Sequence, residues 1–213
     1  NALIPFGGNA NAFRLLTHRF HGRREGGFVM TYATLASIVK YPFESHWAGT
    51  HGKFGFFSFE RDAFHRIADE LGLLRLSADG EPLRYARHPL VYLVEAADDI
   101  CYEIMDIEDS HKLKILSYEE TADLLLGFFD AEMQEKIRQR AKEEGVSDEN
   151  EEVVYMRACV IGRLEKACVK AFIDHEEEIL NGTFKGSLID HVEPLVRDAY
   201  RRCQALSVKK IYN

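Results

Sequence analysis

A chain of 213 residues, 46% of them hydrophobic, is long enough for one substantial core or two small ones, and it reads as globular. Its longest apolar runs, such as Leu124 to Phe129, fall far short of a bilayer span, no secretory start is visible, and the cytoplasm is the expected compartment. A formal charge of −8 argues against a general nucleic-acid binder, although residues 1 to 54 carry six Lys or Arg against two acids, a net of +4 that leaves −12 on the other 159 residues. An anionic ligand is therefore expected to meet the N-terminal quarter, and cations the rest.

In chain order, a first helix is expected from about Asn9 to Phe20, with Asn9 or Asn11 as its N-cap, ended by the loop Gly22-Arg23-Arg24-Glu25-Gly26-Gly27. A second fits Thr31 to Val39 and stops before Pro42, because the residue preceding a proline is pushed out of the α region. Residues 43 to 57 are rich in Gly and aromatics and fit no regular period. Ser58 is placed to cap a helix with an apolar face of Phe59, Ala63, Ile67 and Leu71, closed by Gly72. Between Leu76 and Arg87, Asp79-Gly80 is a turn signal that either joins two short strands as a β-hairpin or marks a plain loop. His88-Pro89 opens a long helix, since the missing N–H of Pro89 has no partner at the first helical position anyway.

Further along, Ser117 to Glu120 forms a Ser-x-x-Glu capping box for a helix to about Phe129, followed by a charged amphipathic helix from Ala131 to Glu144. Six acids between residues 143 and 152 read as an exposed loop. A long helix from about Val153 to Leu180, stopped by Asn181-Gly182, and a last one from Ser187 to about Ser207 complete the chain. The expected fold is all-α, a single helical domain over residues 1–213.

The long helix carries the most information. At 100° per residue, Glu95, Asp98, Tyr102, Asp106 and Asp109 fall within about a quarter-turn of one another. A solvated helix face normally mixes acids with Lys and Arg at i, i+4 spacing, and this stripe has no cation. Its opposite side, through Ile100, Cys101, Ile104 and Ile107, is apolar enough to pack in a core. Carboxylates crowded on a rigid element are costly unless a cation or shared proton neutralises them. The residues alone allow two readings: a helix of metal ligands, or an acidic outer face beside a basic neighbour.

Other constellations are weaker. Nine histidines include no His-Glu-x-x-His and no His-Asp dipeptide, and most are expected to be solvated or structurally bonded. His18 and His21, three apart near Arg14, are candidate anion or acid–base groups or simply a polar helix edge. Arg23-Arg24 between glycines would suit phosphate but lacks the Walker spacing. Lys40-Tyr41-Pro42 and Lys53-Phe54-Gly55-Phe56-Phe57 put cations beside aromatic rings, which fits either a base stacking next to phosphate or core aromatics with a snorkelling lysine. Cys101, Cys159, Cys168 and Cys203 contain no Cys-x-x-Cys pair and are expected to be reduced, buried thiols. Neither a Gly-x-Ser-x-Gly nor a dinucleotide-binding Gly-x-Gly-x-x-Gly is present, which disfavours acyl-transfer and nicotinamide chemistry.

The blocks Gly8-Asn9-Ala10-Asn11-Ala12-Phe13-Arg14-Leu15-Leu16-Thr17, Leu35 to Pro42, Lys53 to Phe57 and, above all, Glu95-Ala96-Ala97-Asp98-Asp99-Ile100-Cys101-Tyr102 stand in one order. In that order they resemble the bacterial deoxyguanosinetriphosphate triphosphohydrolases of the HD superfamily, from about residue 8 to 130 and more loosely to the end. The resemblance implies an all-helical fold and a divalent metal ion such as Mg²⁺ or Mn²⁺. It also implies water activated at that ion to attack the α-phosphorus of dGTP or another dNTP, releasing deoxynucleoside and triphosphate. Carried over by position, Asp98 matches the last metal-ligand Asp, Tyr102 and Asp106 match positions facing the deoxyribose, and Arg14 and Lys40 lie in blocks implied to contact substrate. A homo-oligomer is implied as well, with no membrane partner, and with nucleic acid only as a candidate effector.

One departure from the family pattern stands out. The His and the His-Asp pair that complete the metal set in the family are absent from these 213 residues, whereas the family's chains are about twice as long. Pro5-Phe6-Gly7 resembles the proline-phenylalanine-glycine located just after the family's His-Asp pair, so the sequence is expected to be part of a larger protein and, alone, to bind the catalytic metal poorly. Competing readings are a non-catalytic nucleotide-sensing or regulatory relative, and a helical interaction domain docking its acidic stripe on a basic partner.

Overall fold

The computed structural model describes residues 6–19, 21–22, 27–49, 52–143 and 148–211. It is 68% helical and, among the described residues, holds no β-sheet, so the fold is all-α as the sequence predicts. The helices in chain order are α1 (Gly8–Thr17), α2 (Tyr32–Ser37), α3 (Arg61–Glu70), α4 (Pro89–Lys112), α5 (Tyr118–Leu126), α6 (Ala131–Glu143), α7 (Glu149–Asp174), α8 (Glu176–Leu180) and α9 (Pro194–Leu206). By contacts the chain divides into two compact units, Asn1–Glu95 with Glu176–Lys185, and Ala96–His175 with Gly186–Asn213.

The first unit is built on aromatic rings. Phe56 stacks on Phe64 with centroids 4.4 Å apart, and Phe13 meets Phe64 edge-on at 5.6 Å, the geometries that ring quadrupoles favour. Leu35 and Val39 from the α2 region and Ile67 of α3 complete this cluster. Phe54 and Phe57 form a second buried group with Ala10 and Ala48. The residues that fitted no period are thus the irregular backbone that carries the core aromatics.

Local signals explain most helix ends. The Thr31 hydroxyl accepts the Thr34 N–H at 3.2 Å and caps α2. Gly72 ends α3 at φ +64°, the left-handed position that glycine fills without strain. Phe59 does not join the buried face expected of α3. It is 50% exposed and stacks on Phe57 at 5.5 Å, because Ser58–Glu60 is a 3₁₀ turn that precedes the helix and rotates Phe59 off its face. The Asp79-Gly80 turn does join two extended stretches, with Leu76 N–H donating to the Arg84 carbonyl and Ala86 N–H to the Leu74 carbonyl. Only isolated bridges form there, Arg75 with Tyr85 and Phe43 with Arg84, so the hairpin never widens into strands.

In the second unit α5 and α6 both pack on α7, and α5 also touches α9. The capping box of α5 is present in both directions: Glu120 N–H donates to the Ser117 hydroxyl and Ser117 N–H to the Glu120 carboxylate, each at 3.2 Å. Helix α7 begins at Glu149, four residues earlier than periodicity predicts, because Asp148 accepts the Asn150 and Glu151 N–H groups at 2.8 and 2.9 Å. The acids Glu149, Glu151 and Glu152 then sit in the first turn, where the helix dipole favours them. The long helix expected to Leu180 breaks at His175, and Pro194 starts α9 seven residues after Ser187. Among the described residues no helix is long and apolar enough to cross a membrane.

Candidate functional site on helix α4

Helix α4 runs unbroken from Pro89 to Lys112 and carries the acidic stripe on consecutive turns. Its Ile100, Ile104 and Ile107 are buried, as their spacing predicts, whereas Cys101 is exposed. None of the four cysteines is in a disulfide; Cys159 is half-buried, Cys168 and Cys203 are buried, and burial lifts the last two to about 11 and about 12. Those two are unreactive as nucleophiles at neutral pH.

The stripe itself contains no cation, but its two ends meet cations from outside it. In the first unit, the Glu95 carboxylate, only 9% exposed, accepts Lys40 Nζ at 2.6 Å and Arg87 Nη1 at 3.0 Å. At the far end Lys112 lies 3.9 Å from Asp109 and pairs more closely with Glu108. Lys112 is a local partner within α4, whereas Lys40 and Arg87 are missed by an i, i+4 scan of the stripe because they come from segments outside the helix.

Between these ends the stripe is at least partly accessible to solvent. Asp98 is exposed, Tyr102 is 64% exposed, and Asp106 is half-buried. Beside them Glu103 faces inward, 6% exposed, and accepts the Ser207 hydroxyl at 2.6 Å. Burial pushes the Glu103 carboxyl above the usual carboxylate range, the Ser207 bond opposes this, and the Asp106 charge adds to it. On the opposite side the Tyr200 hydroxyl donates to the Asp99 carbonyl at 3.1 Å and fixes the α4 backbone one residue after Asp98. The three predicted residues therefore share one accessible face of a helix whose other side is pinned.

The remaining predicted residues lie in the first unit. Arg14 of α1 sits over the Phe59 ring, 4.9 Å from its centroid, and its charge opposes the raised pKa of Glu60. Lys40 is held by Glu95. Phe54, Phe56 and Phe57 are each 1% exposed or less, so they are core aromatics rather than a stacking platform for a base. His18 follows the last residue of α1 and His21 lies beyond it, so the two do not share a helical face. Arg23 and Arg24 lie outside the described residues.

A carboxylate oxygen such as that of Asp98 is a proper donor for a hard divalent ion. Among the described residues, however, no group of three or more His, Cys, Asp or Glu side chains is placed to hold a metal. Those residues do not form a metal site by themselves.

The chain is homologous over nearly its whole length to bacterial proteins named deoxyguanosinetriphosphate triphosphohydrolase or deoxyguanosinetriphosphate triphosphohydrolase-like. A protein of Pseudomonas aeruginosa (strain PAO1) named deoxyguanosinetriphosphate triphosphohydrolase-like is 35% identical over 213 residues, covering 98% of this chain and 46% of that relative. One of the same name from Synechocystis is 37% identical over 194 residues, 87% of this chain and 42% of the relative. A deoxyguanosinetriphosphate triphosphohydrolase of Yersinia enterocolitica is 27% identical over 221 residues, 99% and 42% of the two chains. The chain thus spans less than half the length of these curated relatives. No family model matches it.

Proposed function

We propose that the chain is the sugar-side helical portion of a dNTP triphosphohydrolase, an enzyme that splits dGTP or another dNTP into deoxynucleoside and triphosphate. The observation that carries this reading is the exposed Asp98-Tyr102-Asp106 face of α4, on a chain homologous along that helix to proteins named for this activity. Tyr102 and Asp106, one and two turns beyond Asp98, are the proposed contacts to the deoxyribose, offering a hydroxyl and a carboxylate to its 3′-hydroxyl. Asp98 is the proposed single carboxylate that this chain contributes to a divalent ion, and the compartment proposed is the cytoplasm.

Metal and nucleotide titrations test the assignment. The 213-residue polypeptide, given dGTP and Mn²⁺, is expected to release little triphosphate, and robust turnover would overturn the view that it supplies one ligand of a larger set. In the whole protein Mn²⁺ is expected to raise the melting temperature and Asp98→Ala to abolish the rise; an unchanged response in the variant removes Asp98 from the metal. A purely regulatory nucleotide binder is the second reading, and retained dGTP binding without hydrolysis in the whole protein would favour it.

A further inference from the structure

We propose that the cleft between α6 and α7 is a binding site for a small organic anion, one with a flat apolar body and a single phosphate, sulfonate or carboxylate group. The cleft lies within the second unit, is lined by no residue of α4, and has a volume of about 420 Å³, within the range of small-ligand sites.

Gly162 is the first reason. It stands in the interior of a 26-residue helix, where glycine costs ~1 kcal/mol relative to alanine. Its backbone is not in the left-handed region, and a Cβ built on it meets nothing within 4 Å. Neither conformation nor crowding requires glycine here. What it does is leave open space in the cleft wall, beside Ala158.

The second reason is charge. Lys136 and Arg140 of α6 and Arg163 and Lys166 of α7 line the cleft, against one acid, Asp130. Asp130 is committed to capping α6, accepting the Met133 N–H at 2.9 Å. Lys136 is paired with Glu132 at 2.5 Å and Arg163 with Glu193 at 2.6 Å, but the Arg163 Nε is buried with no hydrogen-bond partner. Arg140 and Lys166 have no ion-pair partner among the described residues. Four cations around one opening, in the part of the chain that is otherwise strongly acidic, are an arrangement that an anion relieves. Phe129, Met133 and Tyr155 supply the apolar and aromatic wall against which a flat body can lie.

The test uses 1-naphthyl phosphate as probe, with inorganic phosphate and 1-naphthol as its separate halves, titrated calorimetrically into the 213-residue chain. The expected result is binding of the whole probe at least roughly tenfold tighter than of either half, weakened by salt. Gly162→Leu, whose Cβ meets no atom within 4 Å and whose side chain would project into the opening, is expected to weaken it by about tenfold or more while the circular dichroism of the helices is retained. The exposed double variant Arg140→Glu/Lys166→Glu is expected to do the same and decides the matter should Gly162→Leu not fold. No binding to the unmodified chain at millimolar probe, or binding undiminished in the double variant, overturns the proposal.

Discussion

Lys40 and Glu95 lie 2.6 Å apart, joining the loop after α2 to the first turns of α4 through a carboxylate that is almost wholly buried. Because Arg87 shares the same carboxylate, Glu95 is the centre of a three-residue charge network and each cation is only one of two. Removing Glu95 leaves two cations facing each other, whereas removing Lys40 leaves Arg87 in place. Glu95→Ala is accordingly expected to cost about 2 kcal/mol in urea unfolding, reduced from the fully buried range because Lys40 is partly exposed, and Lys40→Ala less than half of that.

A second buried pair is more demanding. Glu108 is 2% exposed and pairs with Arg157 of α7 as well as with Lys112. Arg157→Ala removes the cation brought by a neighbouring helix and leaves the carboxylate buried with only a solvent-exposed lysine. A loss of about 3 kcal/mol in chemical denaturation is expected, with much of it recovered in Glu108→Gln/Arg157→Ala.

Glu60 gives the first unit a pH dependence. Burial raises its carboxyl from 4.5 to about 7, against the opposing Phe57 N–H bond and the Arg14 charge. The native state therefore holds a proton that the unfolded state releases near pH 4.5. Its contribution to stability is complete below pH 4.5 and is lost as pH rises toward 7. Melting temperatures of Glu60→Gln, whose amide oxygen still accepts from Phe57, are expected to fall less steeply across that window than those of the unmodified chain.

Gly55 is irreplaceable for a steric reason. A Cβ there would overlap the Tyr41 carbonyl oxygen and the Val39 side chain, while its own N–H donates to the Phe43 carbonyl at 3.0 Å. Gly55→Ala must shift backbone beneath the aromatic core. The expected cost is about 3 kcal/mol, read from the denaturation midpoint.

Tyr102 separates binding from folding. At 64% exposure its substitution by Phe should move stability by no more than about 0.5 kcal/mol. If its hydroxyl contacts the sugar, dGTP binding to the whole protein weakens by about 1 kcal/mol, roughly fivefold. A melting curve and a binding isotherm on the same sample check both.

The helices and their punctuation are legible in the sequence because they depend on near neighbours. Pro89 at the start of α4, the Ser117–Glu120 box and the left-handed Gly72 act through residues a few positions away, so spacing reveals them. The common face of Asp98, Tyr102 and Asp106 is legible too, since 3.6 residues per turn is a property of the backbone. The start of α7 is not, because Asp148 is a cap hidden within an acidic run. Which charges meet depends on packing. Lys40 and Arg87 reach Glu95 through the path of irregular segments, and the same path buries Phe54, Phe56 and Phe57 instead of offering them to a base. The α6–α7 cleft belongs to the same category. Periodicity tells which face of a helix is apolar or charged, but the facing element, and the space left between them at Gly162, are fixed only when the helices pack.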